Sequence, residues 1–280
     1  MDGASLVATA IAFPSIDPVI FSIGPVAVRW YSLAYIVGII GGWKYAQHLV
    51  QNANLWRDDS SPITVADLDD FLFWAVIGIV VGGRLGYVLF YNPAFYLQNP
   101  GEIIAVWQGG MSFHGGFLGV ALALWFFAKK RGLPLLSLVD VVAAVVPIGI
   151  FFGRLANFIN SELWGRTTDV PWAVIFPNGG PVPRHPTQLY EAILEGLVLF
   201  AALRLATHYL GTLKSPGVTG AIFVAGYGAF RTLVEFYREP DAQIGYLFGG
   251  WFTMGMLLSL PMFVFGVMAM RQFQTKARAL

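Results

Sequence analysis

The sequence predicts an all-α membrane protein with seven transmembrane helices. Apolar and aromatic residues make up 56% of the 280 residues, whereas Asp, Glu, Lys and Arg make up only 12%. A soluble domain usually carries about 25% charged residues, so this chain has too few to cover a surface that faces water. The net charge of +1 says nothing about nucleic acid, but the sequence has no basic tract interleaved with aromatic residues, and we predict no nucleic-acid partner.

Seven segments are apolar enough to cross a bilayer as helices, which takes roughly 20 residues. They are Trp30–Val50, Asp70–Tyr91, Ser112–Ala128, Leu138–Asn157, Gln188–Ala206, Val218–Tyr237 and Tyr246–Met270. The third is short, and Gly and Pro interrupt several, which packed membrane helices tolerate. No internal repeat or linker stands out, so we predict a single integral membrane domain over residues 1–280.

The distribution of Lys and Arg predicts the orientation, because cytoplasmic loops are enriched in both. With the N-terminus outside, the inner side collects Lys44, Arg57, Lys129, Lys130, Arg131, Arg204, Lys214, Arg271, Lys276 and Arg278. The outer side collects only Arg29, Arg166, Arg184 and Arg238. We therefore predict that the N-terminus lies outside and the C-terminus lies in the cytoplasm.

Two segments on the predicted outer face are not helical. The stretch VIFSIGPVAVRW before the first span contains two β-like runs around Gly24-Pro25, which indicates a small hairpin. Between spans four and five, residues 158–187 contain a strand-like run, Trp172–Phe176, between Gly and Pro turn signals. A long loop of this kind is often functional, so we predict a small periplasmic head segment here.

Three arginines, Arg84, Arg154 and Arg231, fall within or at the ends of predicted spans. A guanidinium cannot be neutralised by deprotonation, and its burial in a bilayer costs about 3 kcal/mol or more. Their neighbours at helical spacing are polar: Tyr87, Tyr91, Asn157, Tyr227 and Glu235. We expect these polar faces to converge on one cavity in the outer half of the membrane, where excess positive charge binds a phosphate.

Simpler interpretations of the same residues stay open. The arginines fit structural ion pairs with Glu191, Glu195 and Glu235, although buried pairs contribute little net stability. His114, at the outer start of the third span in GGMSFHGGFLG, fits an ordinary interfacial histidine beside glycines that pack helices. The four histidines are scattered and cysteine is absent, so the sequence predicts no metal site, disulfide or cysteine nucleophile.

Six motifs together resemble those of the bacterial prolipoprotein diacylglyceryl transferases. In chain order they are RWYSLAY, GGRLGYVLFYNP, SFHGGFLG, GRLANFINSELWGR, RHPTQLYE and FRTLVEFYREPDAQ. The resemblance extends from about Ile20 to Met270. Ala156 and Ser161 depart from it, since the family more often has glycine there; both are small, so we expect altered packing rather than lost activity.

The resemblance implies an enzyme of the bacterial plasma (inner) membrane whose active site faces the periplasmic or outer side. Such an enzyme moves the diacylglyceryl group of phosphatidylglycerol onto the lipobox cysteine of a prolipoprotein signal peptide. The products are a thioether and glycerol phosphate, in the first step of lipoprotein maturation. The family needs no metal or organic cofactor, and the substrate's cysteine is the nucleophile.

Motif matching also implies roles for particular residues. Arg154 and Arg231 correspond to essential arginines, which we assign to the lipid phosphate, and His114 to a critical histidine, which we assign as the base for the thiol. Substrate-binding positions implied in the same way are Tyr31, Asn157, Glu162, Gly165, Tyr227 and Glu235. We add Arg84 and Asn160 from their place beside the other polar residues. Deprotonation of the thiol by the field of the two arginines, without a single base, is the alternative.

Two other functions use some of the same features. A transporter or channel for an anionic solute also needs intramembrane arginines, but it predicts a polar path across the inner halves of the spans, which are largely apolar. A metal-dependent headgroup transferase needs paired acidic ligands, but Asp58-Asp59 and Asp69-Asp70 lie on the predicted cytoplasmic side.

Overall fold

Helices make up most of the chain, as the long apolar segments predict. The computed structural model describes residues 10–240 apart from 15 and 25, residues 245–248 and residues 250–278. Within these ranges, three helices are long and apolar enough to cross a membrane: Val65–Phe90, Leu135–Ile159 and Met254–Thr275. The prediction of a mostly helical protein with membrane-spanning helices is confirmed.

Each of the seven predicted spans overlaps helical structure. In chain order the helices are α1 (Trp30–Gln51), α2 (Val65–Phe90), α3 (Pro93–Gln98), α4 (Phe113–Arg131), α5 (Leu135–Ile159), α6 (Thr187–Glu191), α7 (Leu199–His208), α8 (Val218–Glu235) and α9 (Met254–Arg278). A π-helical turn, Ala192–Val198, joins α6 and α7 into one continuous rod. Short 3₁₀ turns cover Ala53–Leu55, Arg57–Asp59, Pro100–Ile104, Val106–Gln108 and Thr212–Lys214.

Short strands flank the helices. They are β1 (Ile11–Ala12), β2 (Val19–Ile23), β3 (Val26–Arg29), β4 (Val174–Ile175), β5 (Tyr246–Phe248) and β6 (Phe252–Thr253). β2 and β3 form the predicted antiparallel hairpin, and β1 pairs in parallel with β4 of the predicted head segment.

The predicted start of the seventh span is wrong. β5 and β6 form an antiparallel hairpin, and α9 begins only at Met254. Gly245 and Gly250 have φ angles of 64° and 73°, in the left-handed region that glycine adopts without strain. These two glycines therefore interrupt an apolar stretch whose composition alone resembles a continuous span.

The chain forms two compact units, Met1–Tyr45 with Val142–Leu280, and Ala46–Val141. In the second unit, α2 and α4 pack through facing glycines. A Cβ atom added at Gly78 would lie 2.7 Å from the Gly119 carbonyl oxygen, and one at Gly86 would lie 2.7 Å from the Gly115 Cα. These glycines therefore allow close helix packing.

In the first unit, small residues also allow helices to approach closely. A Cβ at Gly228 of α8 would lie 2.6 Å from the Phe263 nitrogen of α9. A Cβ at Gly196, in the π turn, would lie 2.8 Å from the Phe151 Cβ of α5. The second contact matters for the site, because Phe151 precedes Arg154 by one helical turn.

Candidate active site

A buried cluster of arginine and glutamate side chains lies in the first unit. Its members, which we call the arginine–glutamate cluster, are Arg154, Glu191, Glu195, Arg231, Glu235 and Arg238. Glu191 is shared by three guanidiniums. Its Oε1 atom lies 2.6 Å from Arg231 Nη1 and 3.2 Å from Arg238 Nη1, and its Oε2 atom lies 3.1 Å from Arg154 Nε.

Two further glutamates complete the ion pairs. Arg154 Nη2 lies 3.5 Å from Glu195 Oε2, and Arg231 Nη2 lies 2.8 Å from Glu235 Oε2. Three guanidiniums therefore face three carboxylates, and the formal charges in the cluster balance. The excess of positive charge expected from the sequence is absent here, and the ion pairs of the simpler interpretation are present.

The positive and negative groups of the cluster differ in exposure. The side chains of Arg154 and Arg231 keep 20% and 15% of their surface exposed, whereas Glu191 keeps 0% and Glu235 5%. The guanidiniums are thus more exposed than these carboxylates, and the part of the cluster that is accessible is mainly cationic. Such a face suits an anion that takes two parallel N–H···O bonds.

Local sequence explains why these side chains meet. Glu191 and Glu195 are four residues apart on the α6–α7 rod, as are Arg231 and Glu235 on α8, so each pair shares a helix face. The close contact of Gly196 with α5 brings Arg154 within reach of both glutamates of the rod.

Room for Glu235 comes from Gly255, in the first turn of α9. A Cβ atom at position 255 would collide with the Glu235 carboxylate. The hydroxyl of Thr253 donates a hydrogen bond of 2.9 Å to Glu235 Oε1. The start of α9 therefore fixes the carboxylate that pairs with Arg231.

Several of the predicted substrate-binding residues form a second network one helical turn from Arg154. Asn157 Nδ2 donates to Glu162 Oε1 at 2.7 Å, and the Asn157 side chain also bonds to Tyr31. Gln188 Nε2 donates to the Glu162 carbonyl at 2.5 Å. Tyr31, Asn157 and Glu162 therefore lie together, and Gln188 joins them to the rod that carries Glu191.

Two other predicted positions lie close to these networks. Tyr227 precedes Arg231 by one turn of α8. Asn160 directly follows α5, where its backbone N–H donates to the Ala156 carbonyl at 2.9 Å. Ser161 has a φ of 53°, which explains why glycine suits this position better.

Gly165 contributes through its small size. A Cβ atom there would lie 2.5 Å from the Tyr237 carbonyl oxygen and 2.7 Å from side-chain atoms of His185 and Thr187. Its backbone pairs with Arg238, the third guanidinium on Glu191. Position 165 therefore needs glycine so that the head segment can pack beside the cluster.

His185 supports the same part of the head segment. Its Nδ1 atom lies 3.1 Å from the Tyr190 hydroxyl, and Tyr190 in turn accepts a 2.6 Å bond from Trp172 Nε1. Burial lowers the pKa of the His185 imidazole, which favours the neutral form.

Arg84 and His114 belong to the second unit. Arg84 is 3% exposed, and its guanidinium donates to the backbone carbonyls of Glu102, Ile103, Gly109 and Gly110. His114 is the second residue of α4 and is exposed. Arg84 thus differs from Arg154 and Arg231, because its partners are neutral carbonyls.

Sequence reasoning gave too small a role to two residues. Glu191 was considered only as one of three glutamates in structural ion pairs, and Arg238 was only counted on the outer side, although it is 8% exposed and pairs with Glu191. The sequence did contain a signal for Arg238. It is three residues after Glu235 and seven after Arg231, so it continues the same helix face beyond the end of α8.

Two surface cavities lie elsewhere. One of about 320 Å³ is lined by Asp69, Asp70, Phe73, Trp74, Phe127, Lys130 and Arg131. The other, of about 490 Å³, is lined by Ala12, Phe13, Ile175, Phe176, Pro177, Gly180 and Pro181. Neither includes a residue of the arginine–glutamate cluster. Among the residues described, no three His, Asp or Glu side chains gather as metal ligands.

The sequence that contains these site residues matches a known protein family. A family model described as prolipoprotein diacylglyceryl transferase matches residues 18–271. The chain belongs to this family. The sequence-based prediction of the prolipoprotein diacylglyceryl transferase family, and of a transferase, is confirmed.

Curated relatives are similar in sequence to this chain over nearly its whole length. A protein of Rhizobium meliloti (strain 1021) is 60% identical over 267 residues, which cover 95% of each chain. A protein of Sinorhizobium medicae (strain WSM419) is 60% identical with the same coverage, and one of Brucella anthropi is 58% identical over 265 residues. All three are named phosphatidylglycerol–prolipoprotein diacylglyceryl transferase.

Proposed function

We propose that this chain transfers the diacylglyceryl group of phosphatidylglycerol to the lipobox cysteine of prolipoproteins. Membership of the family and the names of relatives at 60% identity support this activity. Transport of an anionic solute is not favoured, since those relatives are named as transferases.

The proposed enzyme is a single integral domain of a bacterial plasma membrane with seven spans. Its N-terminus lies outside, its C-terminus lies in the cytoplasm, and residues 158–187 form a head segment on the periplasmic face. Helical structure that overlaps each of the seven predicted spans and the uneven distribution of Lys and Arg support this arrangement. The active site then faces the outer leaflet.

In the proposed reaction, the cysteine thiolate attacks the carbon of the diacylglyceryl group that is bonded to the phosphate oxygen. A carbon–sulfur bond forms, the carbon–oxygen bond breaks, and its electron pair leaves with the phosphate oxygen of glycerol phosphate. The thiol proton passes to a base. The phosphate changes from a singly charged diester to a doubly charged monoester, so one negative charge develops on the leaving group.

Arg154 and Arg231 are the proposed partners of that developing charge. The main observation behind this proposal is that both guanidiniums are partly exposed, whereas their partners Glu191 and Glu235 are buried. The carboxylates hold the guanidiniums in place before the lipid arrives, which lowers the cost of reorganisation during the reaction. Because each guanidinium has a carboxylate partner, the site without lipid avoids the cost of an unpaired buried charge.

The remaining predicted residues have supporting roles in this proposal. His114 accepts the thiol proton; a free thiol has a pKa of about 8.5 and needs such help near neutral pH. Deprotonation by the field of Arg154 and Arg231 alone is the alternative. Tyr31, Asn157, Glu162 and Tyr227 bind the lipid headgroup or orient the arginines. The reaction as proposed uses no metal or organic cofactor.

A transfer assay tests substrate and reaction class together. Purified protein is mixed with phosphatidylglycerol and a synthetic lipobox peptide in buffer that contains a metal chelator. We expect the peptide to gain a diacylglyceryl thioether, detected by mass spectrometry, with release of glycerol phosphate. Peptide with serine in place of cysteine, and phosphatidylcholine in place of phosphatidylglycerol, are the controls. Absence of the thioether, or dependence on a divalent ion, would overturn the proposal.

A further inference from the structure

Arg84 directs every nitrogen of its guanidinium at the protein backbone. Nε donates to the Ile103 carbonyl at 2.9 Å, Nη2 donates to the Glu102 carbonyl at 2.6 Å, and Nη1 donates to the carbonyls of Gly109 and Gly110. The guanidinium carbon also lies 5.2 Å from the centre of the Tyr96 ring. A planar fork of five N–H groups is the side chain best able to bind several carbonyls at once.

The segment bound by Arg84 contains two consecutive glycines with positive φ angles. Gly109 and Gly110 have φ angles of 86° and 78°, in the left-handed region. A Cβ at Gly110 would lie 2.6 Å from the Tyr87 ring and 2.9 Å from Arg84 Nη1. The segment therefore packs directly against the guanidinium and the Tyr87 ring.

The same turn of α2 also fixes the beginning of α4. The Gly83 carbonyl accepts a 2.8 Å bond from the Ser112 N–H. Ser112 is the N-cap of α4, and its hydroxyl accepts from the Gly115 N–H at 3.2 Å. His114 lies between these two residues, so its backbone position depends on contacts made by Gly83 and Arg84.

We infer that Arg84 is a positioning residue, which holds residues 102–110 and thereby sets the place of His114 at the start of α4. This assigns Arg84 to the protein backbone and not to the lipid phosphate that it was predicted to bind. The effect on catalysis rests on the proposed function. The expected effect of Arg84 on the position of residues 102–110 does not depend on that function.

The test compares Arg84→Lys with wild type in two measurements. Lysine keeps the charge but concentrates its donors at one atom, so it cannot span the four carbonyls. In the transfer assay we expect kcat to fall by about 10²-fold, the size of effect that a displacement of roughly 1 Å produces, while KM for phosphatidylglycerol is unchanged. Arg57→Lys, an exposed arginine of the same unit, is the matched control.

The second measurement follows the segment directly. Because the chain has no cysteine, Gln108→Cys provides a single site for a nitroxide label within the bound segment. We expect electron paramagnetic resonance to show a more mobile label in Arg84→Lys than in wild type. A label at Tyr209→Cys, in the other unit, should not change.

Gly110→Ala disrupts the same contacts by a change in the bound segment and not in Arg84, because the added Cβ collides with Tyr87 and Arg84. It should reproduce both effects, and it replaces Arg84→Lys if that variant does not fold. A raised KM with an unchanged label spectrum would show instead that Arg84 binds the lipid, and unchanged values in both measurements would also overturn the inference. If wild type shows no transfer, the proposed function fails, while the label still decides whether Arg84 holds the segment.

Discussion

The two units bury arginine in different ways. In the second unit, Arg84 is almost fully buried and donates to four backbone carbonyls. In the first unit, Arg154 and Arg231 pair with glutamates and keep part of their surface exposed. The first arrangement uses the planar fork to organise a loop, whereas the second holds charged groups next to an open face.

Location in an apolar segment and accessibility to an anion are therefore separate properties of an arginine, and the sequence alone does not distinguish them. All three arginines occur in apolar segments, and on that basis all three were expected to bind the same anion. Carbonyl partners satisfy donors but do not cancel charge, and they point in fixed directions. Carboxylates cancel charge and position the guanidinium while leaving its outer edge accessible. Exposure, and not position in a span, therefore distinguishes the proposed phosphate ligands.

The largest expected effect is the loss of either proposed phosphate ligand. Arg154→Ala and Arg231→Ala should each lower kcat/KM by about 10²–10³-fold, because each removes donors from the developing charge of the leaving group. The transfer assay measures this, and detergent-extracted protein should still elute as a folded species. Arg271→Ala, at an exposed arginine, is the control. Turnover near the wild-type rate in either variant would remove that arginine from the mechanism.

The second effect concerns the shared carboxylate. Removing one partner of a buried ion pair costs about 3–5 kcal/mol. Glu191 pairs with three guanidiniums and Glu195 with one, and both side chains are fully buried. Glu191→Gln should therefore lower the thermal midpoint more than Glu195→Gln. Equal midpoints would show that the shared contacts do not stabilise the cluster.

A smaller effect is expected where the head segment packs beside the cluster. Gly165→Ala should reduce the free energy of unfolding by about 1–3 kcal/mol, because the new methyl group has no room. Gly101→Ala is the matched control, since nothing lies within 4 Å of the added Cβ. Thermal unfolding of the two variants provides the measurement, and similar midpoints would contradict the packing described for Gly165.

The smallest effect is the pH dependence due to His185. Burial lowers the pKa of this imidazole below its ordinary value of 6.5, so the folded state binds fewer protons than the unfolded state in that region. Stability should therefore fall as the pH drops below 6.5, until the folded-state pKa is passed. His185→Gln should show a shallower decline of the thermal midpoint with falling pH. An identical slope would assign the decline to other groups.

Helical periodicity predicted much of this arrangement. The apolar segments gave the positions of the helices, and spacings of three or four residues placed Asn157 beside Arg154 and Glu235 beside Arg231. These features depend on contacts within one helix or one short motif, which a single sequence contains.

Contacts between helices were less accessible from sequence. The sharing of Glu191 by three guanidiniums depends on the rotation of the α6–α7 rod, which the π turn and Gly196 set. The partners of Arg84 are backbone carbonyls, which every residue has, so no pattern of side chains marks them. Part of one motif, Asp241–Gln243, lies outside the described residues.

Binding of phosphatidylglycerol tests the central claim most directly. Protein in nanodiscs of phosphatidylcholine is titrated with phosphatidylglycerol, and the dissociation constant is compared among wild type, Arg231→Gln and Arg84→Lys. A charge-assisted hydrogen bond is worth about 1.5–3 kcal/mol, so Arg231→Gln should weaken binding by about 10- to 100-fold, and Arg84→Lys should leave it unchanged. Unchanged affinity in Arg231→Gln, or equal weakening in both variants, would contradict the assignment of the phosphate to the partly exposed, carboxylate-paired arginines.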